Sequence, residues 1–364
     1  MIETEPTPAG SRPAGASAAP AGWRVSRSSR SSRTASGGFL LIVAALFLAP
    51  ALLSANAVEQ LTSLLIFLIL AVMWNALAGY GGLVSVGQQA FIGVGAYATI
   101  YLTQHGMAPY PAIVVAALVC AALAAVESLL VLRLRGGQFA VGTWVVAEAL
   151  AILVILDKGL GGGTGISLRG LNVYTPDQRR ADTFWLTLGF AVLLLGLVFG
   201  LLRWRTGAAL QAIRDDEEAA AALGVRVRPL KFVLFVLAGF GCGAAGALTL
   251  ATTLFVQPQS IFGVQFTAYM IFMVLVGGLG TFEGPIIGAV AFFLIQYEFA
   301  DQGAYYLIGL GLVAVLFALF LPRGLWSLVA DRLPVQLLPV GYRLDRTAAP
   351  RGIRWSRAAR AHRG

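Results

Sequence analysis

The chain has 364 residues, 58% hydrophobic and 12% charged, with a mean hydropathy of +0.80. Soluble proteins carry about 25% charged residues and wear them on the surface, so a soluble fold and a disordered body are both excluded. The net charge of +9 lies in the tails, with +3 in the first 37 residues, +7 from residue 322 onward and −1 between. That distribution gives nucleic acid no folded basic face, and two Cys with two distant His leave no disulfide framework or zinc cluster.

Residues 1–37, rich in Ser, Pro, Ala and Arg, read as a disordered cytoplasmic tail. Ten apolar runs follow, at 38–55, 61–77, 88–103, 110–132, 139–156, 183–202, 232–255, 266–276, 286–297 and 305–321. A bilayer core of ~30 Å takes roughly 20 apolar residues per helix, so these are candidate spans, the eighth and ninth short. Ala55-Asn56-Ala57 looks like a signal-peptide cleavage site, but 37 residues ahead of the first run are long for a signal's basic region. With the N-terminus inside, the inward loops carry Arg133 and Arg135, then Arg203, Arg205, Arg214, Arg226, Arg228 and Lys231. Ten spans also bring the Arg-rich C-terminus inside, as the positive-inside rule asks. The outward loop 157–182 has mixed charge. The expected fold is therefore an all-α, polytopic membrane protein of about ten helices with both termini cytoplasmic.

Three polar features interrupt these runs. Ser85, Gln88 and Gln89 follow a glycine-rich break and precede Gly93 and Gly95. Broken backbone at membrane depth is tolerated beside a cavity or inside protein, so the segment borders a pathway or is a glycine-packed contact. Glu148 sits mid-span, where a charge costs about 2.5–3.5 kcal/mol, and so lines a wet path or fixes packing through a hydrogen bond. Glu59 and Glu127 lie nearer helix ends and can reach an interface. The third feature is 207–224, Ala-rich and ending in Gly224, which predicts one short helix with Leu210, Ile213, Glu217, Ala220 and Gly224 on one face. Pro229 can open the next helix. The acids Asp215, Asp216, Glu217 and Glu218 are either a solvated face or contacts for basic residues of another protein. Gly277-Gly278-Leu279 echoes Gly81-Gly82-Leu83, but an even number of spans between them does not make an inverted repeat.

The spelling of several segments adds to this. Glu218-Ala219-Ala220 followed by Gly224 resembles the EAA loop of ABC importer permeases, the coupling helix that docks on the ATPase. Gly82 to Tyr97, Leu132 to Glu148, Gly161-Gly-Gly-Thr-Gly-Ile166, Ala212-Ile-Arg-Asp-Asp-Glu217, Gly277 to Ala289 and Pro322-Arg-Gly-Leu325 resemble, in order, motifs of the branched-chain amino acid permease family (LivM type). Gln89, Gln138, Gly142 and Trp144 depart from that family's pattern. The resemblance covers about 80–325 and implies a permease domain over 38–325, its coupling loop at about 203–231, with a basic cytoplasmic tail at 326–364. It implies ATPase coupling through Arg214, Asp215, Glu217, Glu218, Ala219, Ala220 and Gly224, and a pathway near Ser85, Gln88, Gln89 and Glu148. The implied partners are cytoplasmic ABC ATPases, a second permease (a paralogue or a second copy), an extracytoplasmic solute-binding protein and membrane lipid.

No GxxxxGK[ST] loop, GxSxG elbow or HExxH helix occurs, so no catalytic residue and no cofactor are expected. The expected function is inward transport of a small polar solute, a branched-chain or related amino acid, across the cell membrane. Urea, short amides or a sugar could use the same machinery. An ion-coupled secondary transporter is the alternative from another class; it leaves the EAA-like loop unexplained.

Overall fold

The computed structural model describes residues 23–26, 30–299, 302–321, 323–332 and 343–346. Its body is all-α, because backbone groups without water must bond within their own segment. The helices begin with α1 (Arg30–Phe47), the single turn α2 (Ala49–Leu52) and α3 (Ala55–Asn75), capped by the Ser54 hydroxyl and extended by a π-helical turn at Ala76–Tyr80. Next come α4 (Gln89–Gln104), α5 (Pro109–Val131) and α6 (Gly137–Leu156). A capping box of Thr175 and Gln178, with Pro176 in the first turn, starts α7 (Pro176–Arg203). Two short helices, α8 (Arg205–Asp215) and α9 (Glu217–Ala222), lead into α10 (Val227–Thr253). The chain continues through α11 (Pro258–Ile261), α12 (Gln265–Gly277), α13 (Gly284–Phe299), α14 (Ala304–Phe320) and α15 (Gly324–Arg332).

Every apolar run expected from the sequence falls on a helix. Six stretches are long and apolar enough to cross a membrane: Ala55–Tyr80, Pro109–Val131, Gly137–Leu156, Pro176–Arg203, Val227–Thr253 and Pro258–Gly277. The others are shorter; α4 has 16 residues, α13 16 and α14 17.

Helix α10 is the centre of the body, packed on α5, α4 and α3. Small residues allow the approach. A Cβ on Gly246 would lie 1.9 Å from the Ile92 carbonyl oxygen, and one on Gly95 would lie 2.1 Å from that of Gly243. Gly93 lies against the Phe262 ring, so the glycines after the break serve helix packing. Helix α6 is the least covered of the long helices; its buried residues are Phe139, Thr143, Ala147 and Ala151. The loop after α6 is pinned to the end of α10 by an antiparallel pairing of Ile166–Ser167 with Phe255–Val256.

A separate small unit pairs Trp23–Ser26 antiparallel with Arg343–Arg346. The stretch 1–37, expected as disordered, thus contains a strand and the first turns of α1. Its remainder, and 347–364 of the basic tail, lie outside the described residues. The expected boundary at 325 falls inside α15, whose Trp326 is buried and which packs on α12 and α13.

Candidate functional site

The single helix expected over 207–224 is two helices. Asp216 is extended (φ −156°, ψ 108°), and its Oδ1 accepts from the backbone N–H groups of Glu218 at 2.9 Å and Ala219 at 3.0 Å. A short polar side chain that caps the next helix interrupts the one before it. Leu210, Ile213 and Ala220 are buried, whereas Gly224 is exposed and ends α9 with φ +86°. Pro229 is the third residue of α10, still within the first turn, where its missing N–H costs no hydrogen bond.

The four acids, expected as either a solvated face or contacts for another protein, all have partners within the chain. Arg214 pairs with Asp215 at 3.1 Å, Lys231 with Glu217 at 2.6 Å and Arg135 with Glu218 at 2.9 Å, while Asp216 is the cap. The exposed surface also includes Ala219, Ala221, Ala222 and Leu223, the last 84% exposed, beside the exposed acids Asp215, Asp216 and Glu218. The exposed Arg214–Asp215 and Arg135–Glu218 pairs contribute about 0–1 kcal/mol each, whereas the Lys231–Glu217 pair is partly buried.

Arg214 also reaches inward. Its Nη1 donates to the Gly79 carbonyl oxygen at 2.9 Å. Beside it, Asn75 Nδ2 donates to the Thr281 carbonyl and Asn75 Oδ1 accepts from the Gly280 N–H, both at 2.9 Å. Gly280 has φ +74°, and a Cβ there would stand 2.6 Å from Arg214 Nη1. A Cβ on Gly79 would stand 2.7 Å from the Gly280 nitrogen. The end of α8, the π turn of α3 and the α12–α13 loop therefore meet at one point. The two glycine-rich segments that echo each other in sequence flank this contact.

Ser85, Gln88 and Gln89 are brought together and fully buried. Gln88 Nε2 donates to Ser85 Oγ at 3.1 Å, and Trp74 Nε1 to the Ser85 carbonyl at 3.0 Å. Thr267 on α12 donates its hydroxyl to Gln89 Oε1. Thr143 on α6 accepts from the Val86 N–H at 3.3 Å. Gln88 Oε1 and Gln89 Nε2 are buried with no hydrogen-bond partner among the described residues, each a costly state that calls for water or a second conformation.

Glu148 is elsewhere. It is exposed on the outer side of α6, and its Oε1 accepts from Trp144 Nε1 at 3.0 Å. No hydrogen bond joins it to the buried cluster among the described residues. Asn75, Trp74 and Thr267 escaped the sequence reading, and Thr143 entered it only as part of the 132–148 motif. A lone amide in an apolar run was the available signal for Asn75; a threonine mid-span carries almost none, because it also bonds its own helix carbonyls. Among the described residues no group of three or more His, Cys, Asp or Glu could hold a metal.

Comparison with known proteins bears on these segments directly. A family model described as the permease component of the branched-chain amino acid transport system matches residues 56–321. The high-affinity branched-chain amino acid transport system permease protein LivM of Escherichia coli K12 is 29% identical over 327 residues, which are 82% of this chain and 77% of that protein. A probable branched-chain amino acid transport permease, LivM of Methanocaldococcus jannaschii, is 28% identical over 160 residues, 43% of this chain and 46% of that one. The ribose import permease RbsC of Escherichia coli K12 is 27% identical over 159 residues, 39% of this chain and 48% of that one.

Proposed function

We propose a solute and a working arrangement for this chain, which belongs to the family of branched-chain amino acid transport permeases. It is a multi-pass membrane protein and the permease subunit of an ABC importer, not an enzyme in its own right. Importers of this kind work with ATPase subunits and a solute-binding protein. The solute here is a branched-chain or closely related amino acid. The observation that carries this is the similarity to the Escherichia coli LivM permease over 82% of the chain. Similarity to the ribose permease extends over 39%, so a sugar is the weaker reading.

The arrangement has ten spans and cytoplasmic termini, supported by the placement of Arg and Lys in alternate loops. Residues 1–37 and 326–364 act as cytoplasmic tails flanking the permease domain, and their Arg residues touch anionic lipid. The ATPase-facing surface is α9 with Ala219, Ala221, Ala222 and Leu223, small enough to enter a groove. Glu217 and Glu218 brace it, while Arg214, Asp215, Ala220 and Gly224 seat and end it. Ser85, Gln88 and Gln89 border the pathway, closed in this conformation. The second permease, a copy or a paralogue, covers the outer side of α6. What supports this is Glu148: a mid-span carboxyl left in lipid costs about 2.5–3.5 kcal/mol, and a partner helix or wet path removes that cost.

The test is uptake. The tagged chain is purified with its companions and reconstituted in vesicles with its binding protein. Radiolabelled leucine should accumulate with ATP and without an ion gradient. Accumulation driven by a proton or sodium gradient in the absence of ATP would overturn the importer; ATP-driven uptake of ribose but not leucine would overturn the solute.

A further inference from the structure

At the end of the body remote from α8 and α9 lies a cavity of about 210 Å³, between the first turns of α3 and α7 and the last turn of α10. The 28 residues of α7 separate the two ends by about 42 Å. Three charged side chains line the cavity: Glu59, Arg179 and Arg180. Arg180 is committed, its Nε donating to Glu59 Oε1 at 2.5 Å and its Nη1 to Asp177 Oδ1 at 3.1 Å. Glu59 Oε2 and the whole Arg179 guanidinium have no hydrogen bond or ion pair among the described residues. Thr183, one turn after Arg179 and on the same face of α7, lines the cavity as well. It is 3% exposed, and its Oγ1 lies beside the Tyr110 hydroxyl, which donates to the Arg179 carbonyl at 3.2 Å. The rest of the wall includes the small side chains of Ala251 and Thr252.

An unpaired guanidinium, a half-exposed carboxylate with one oxygen open and a buried hydroxyl whose neighbour is the Tyr110 hydroxyl, in one small cavity, are complementary to a zwitterion. We propose that this cavity binds the charged ends of a free α-amino acid, with Arg179 and Thr183 donating to its carboxylate and Glu59 accepting from its ammonium. The inference rests on the amino-acid reading above and adds the site. The cavity is smaller than the ~300–1,000 Å³ of drug-sized pockets and has small residues where a branched side chain would need an apolar wall. It therefore recognises the common backbone of amino acids, and the side chain is selected elsewhere.

The test uses the intact complex in nanodiscs, without binding protein, titrated with radiolabelled leucine. Leucine should bind, and alanine should compete within about threefold, because backbone charges dominate. Leucinol, lacking the carboxylate, and isovalerate, lacking the ammonium, should not compete. Arg179→Gln, which breaks no internal bond, should weaken binding about tenfold or more, and Thr183→Val by a smaller factor. Wild-type affinity in both variants, or competition by isovalerate equal to leucine, overturns the site. So does absence of binding in a complex that still takes up leucine with ATP and its binding protein. Absence of leucine uptake in that full system removes the amino-acid reading itself, and the site with it, so the two failures are read apart.

Discussion

Arg214 is the residue that ties α8 to the membrane body. Its head satisfies the Gly79 carbonyl and packs against Gly280, where only glycine leaves room for it. Removing it leaves that carbonyl without this donor, and hydrogen bonds from charged groups contribute about 1.5–3 kcal/mol. Arg214→Ala should leave the complex assembled, because the outward Ala and Leu surface of α9 is untouched. ATP hydrolysis should persist while uptake falls about tenfold or more, the signature of a broken mechanical link. Arg214→Lys should not restore coupling, since a single ammonium cannot hold Gly79 and Asp215 through separate nitrogens as the guanidinium does. Parallel ATPase and uptake assays on the purified complex decide this, and equal loss of both would make Arg214 an assembly residue. Glu148 belongs to the same scale. Its carboxylate accepts from Trp144, and a glutamine can still accept there through its carbonyl oxygen. Glu148→Gln should therefore assemble normally and keep uptake, as expected of a residue sheltered by the second permease; loss of uptake in an assembled complex would place Glu148 on the pathway instead.

At the scale of elements, the contrast between α9 and the long helices explains what could be read from sequence. Apolar runs such as 110–132 and 232–255 name their own helices, because hydrophobicity and length are local properties. The packing of α4 was half legible, since Gly93 and Gly95 announce close contact but not with what. The break at Asp216 was missed because an Ala-rich run with periodic apolar residues predicts continuity, while the cap depends on one aspartate turning back on its own backbone. The engagement of all four acids was missed for a different reason. Arg135 lies 83 residues from Glu218 and Lys231 lies 14 residues from Glu217 on the next helix, and the fold brings each to its acid. Likewise Glu148 was singled out by its cost in a membrane, yet nothing local says that it faces away from Ser85, Gln88 and Gln89. The cap itself can be tested. Asp216→Ala should cost about 0.5–2 kcal/mol of local stability, and Asp216→Asn should restore most of it. Hydrogen exchange at the Glu218 and Ala219 amides reads the effect directly; unchanged protection in the alanine variant would mean that the Glu217–Lys231 pair alone holds α9.

At the scale of the whole molecule, burial is uneven in a way a lone permease would not need. Helices α3 and α10 are largely enclosed, while α6 turns Val145, Ile152 and Leu153 outward alongside Glu148. Apolar side chains there are at home in lipid; the carboxyl among them is not. The proposed second permease against α6 would accommodate both, sheltering the carboxyl between subunits and burying the apolar residues in a helix contact. The chain is well suited to testing this. Its cysteines, Cys120 and Cys242, are free and fully buried, so thiol chemistry on the native protein has little background. A single Val145→Cys or Ile152→Cys substitution should cross-link the chain to a second permease of the same complex, as a doubled species if the partner is a copy. If the partner is a paralogue, a cysteine introduced on it should be needed. Leu197→Cys on α7 is comparably exposed, at 45%, but lies on a helix with no intramembrane charge to shelter, and should stay monomeric. Cross-linking at 197 and none at 145 or 152 would move the permease interface to α7 and leave Glu148 to be explained by a water-filled path alone.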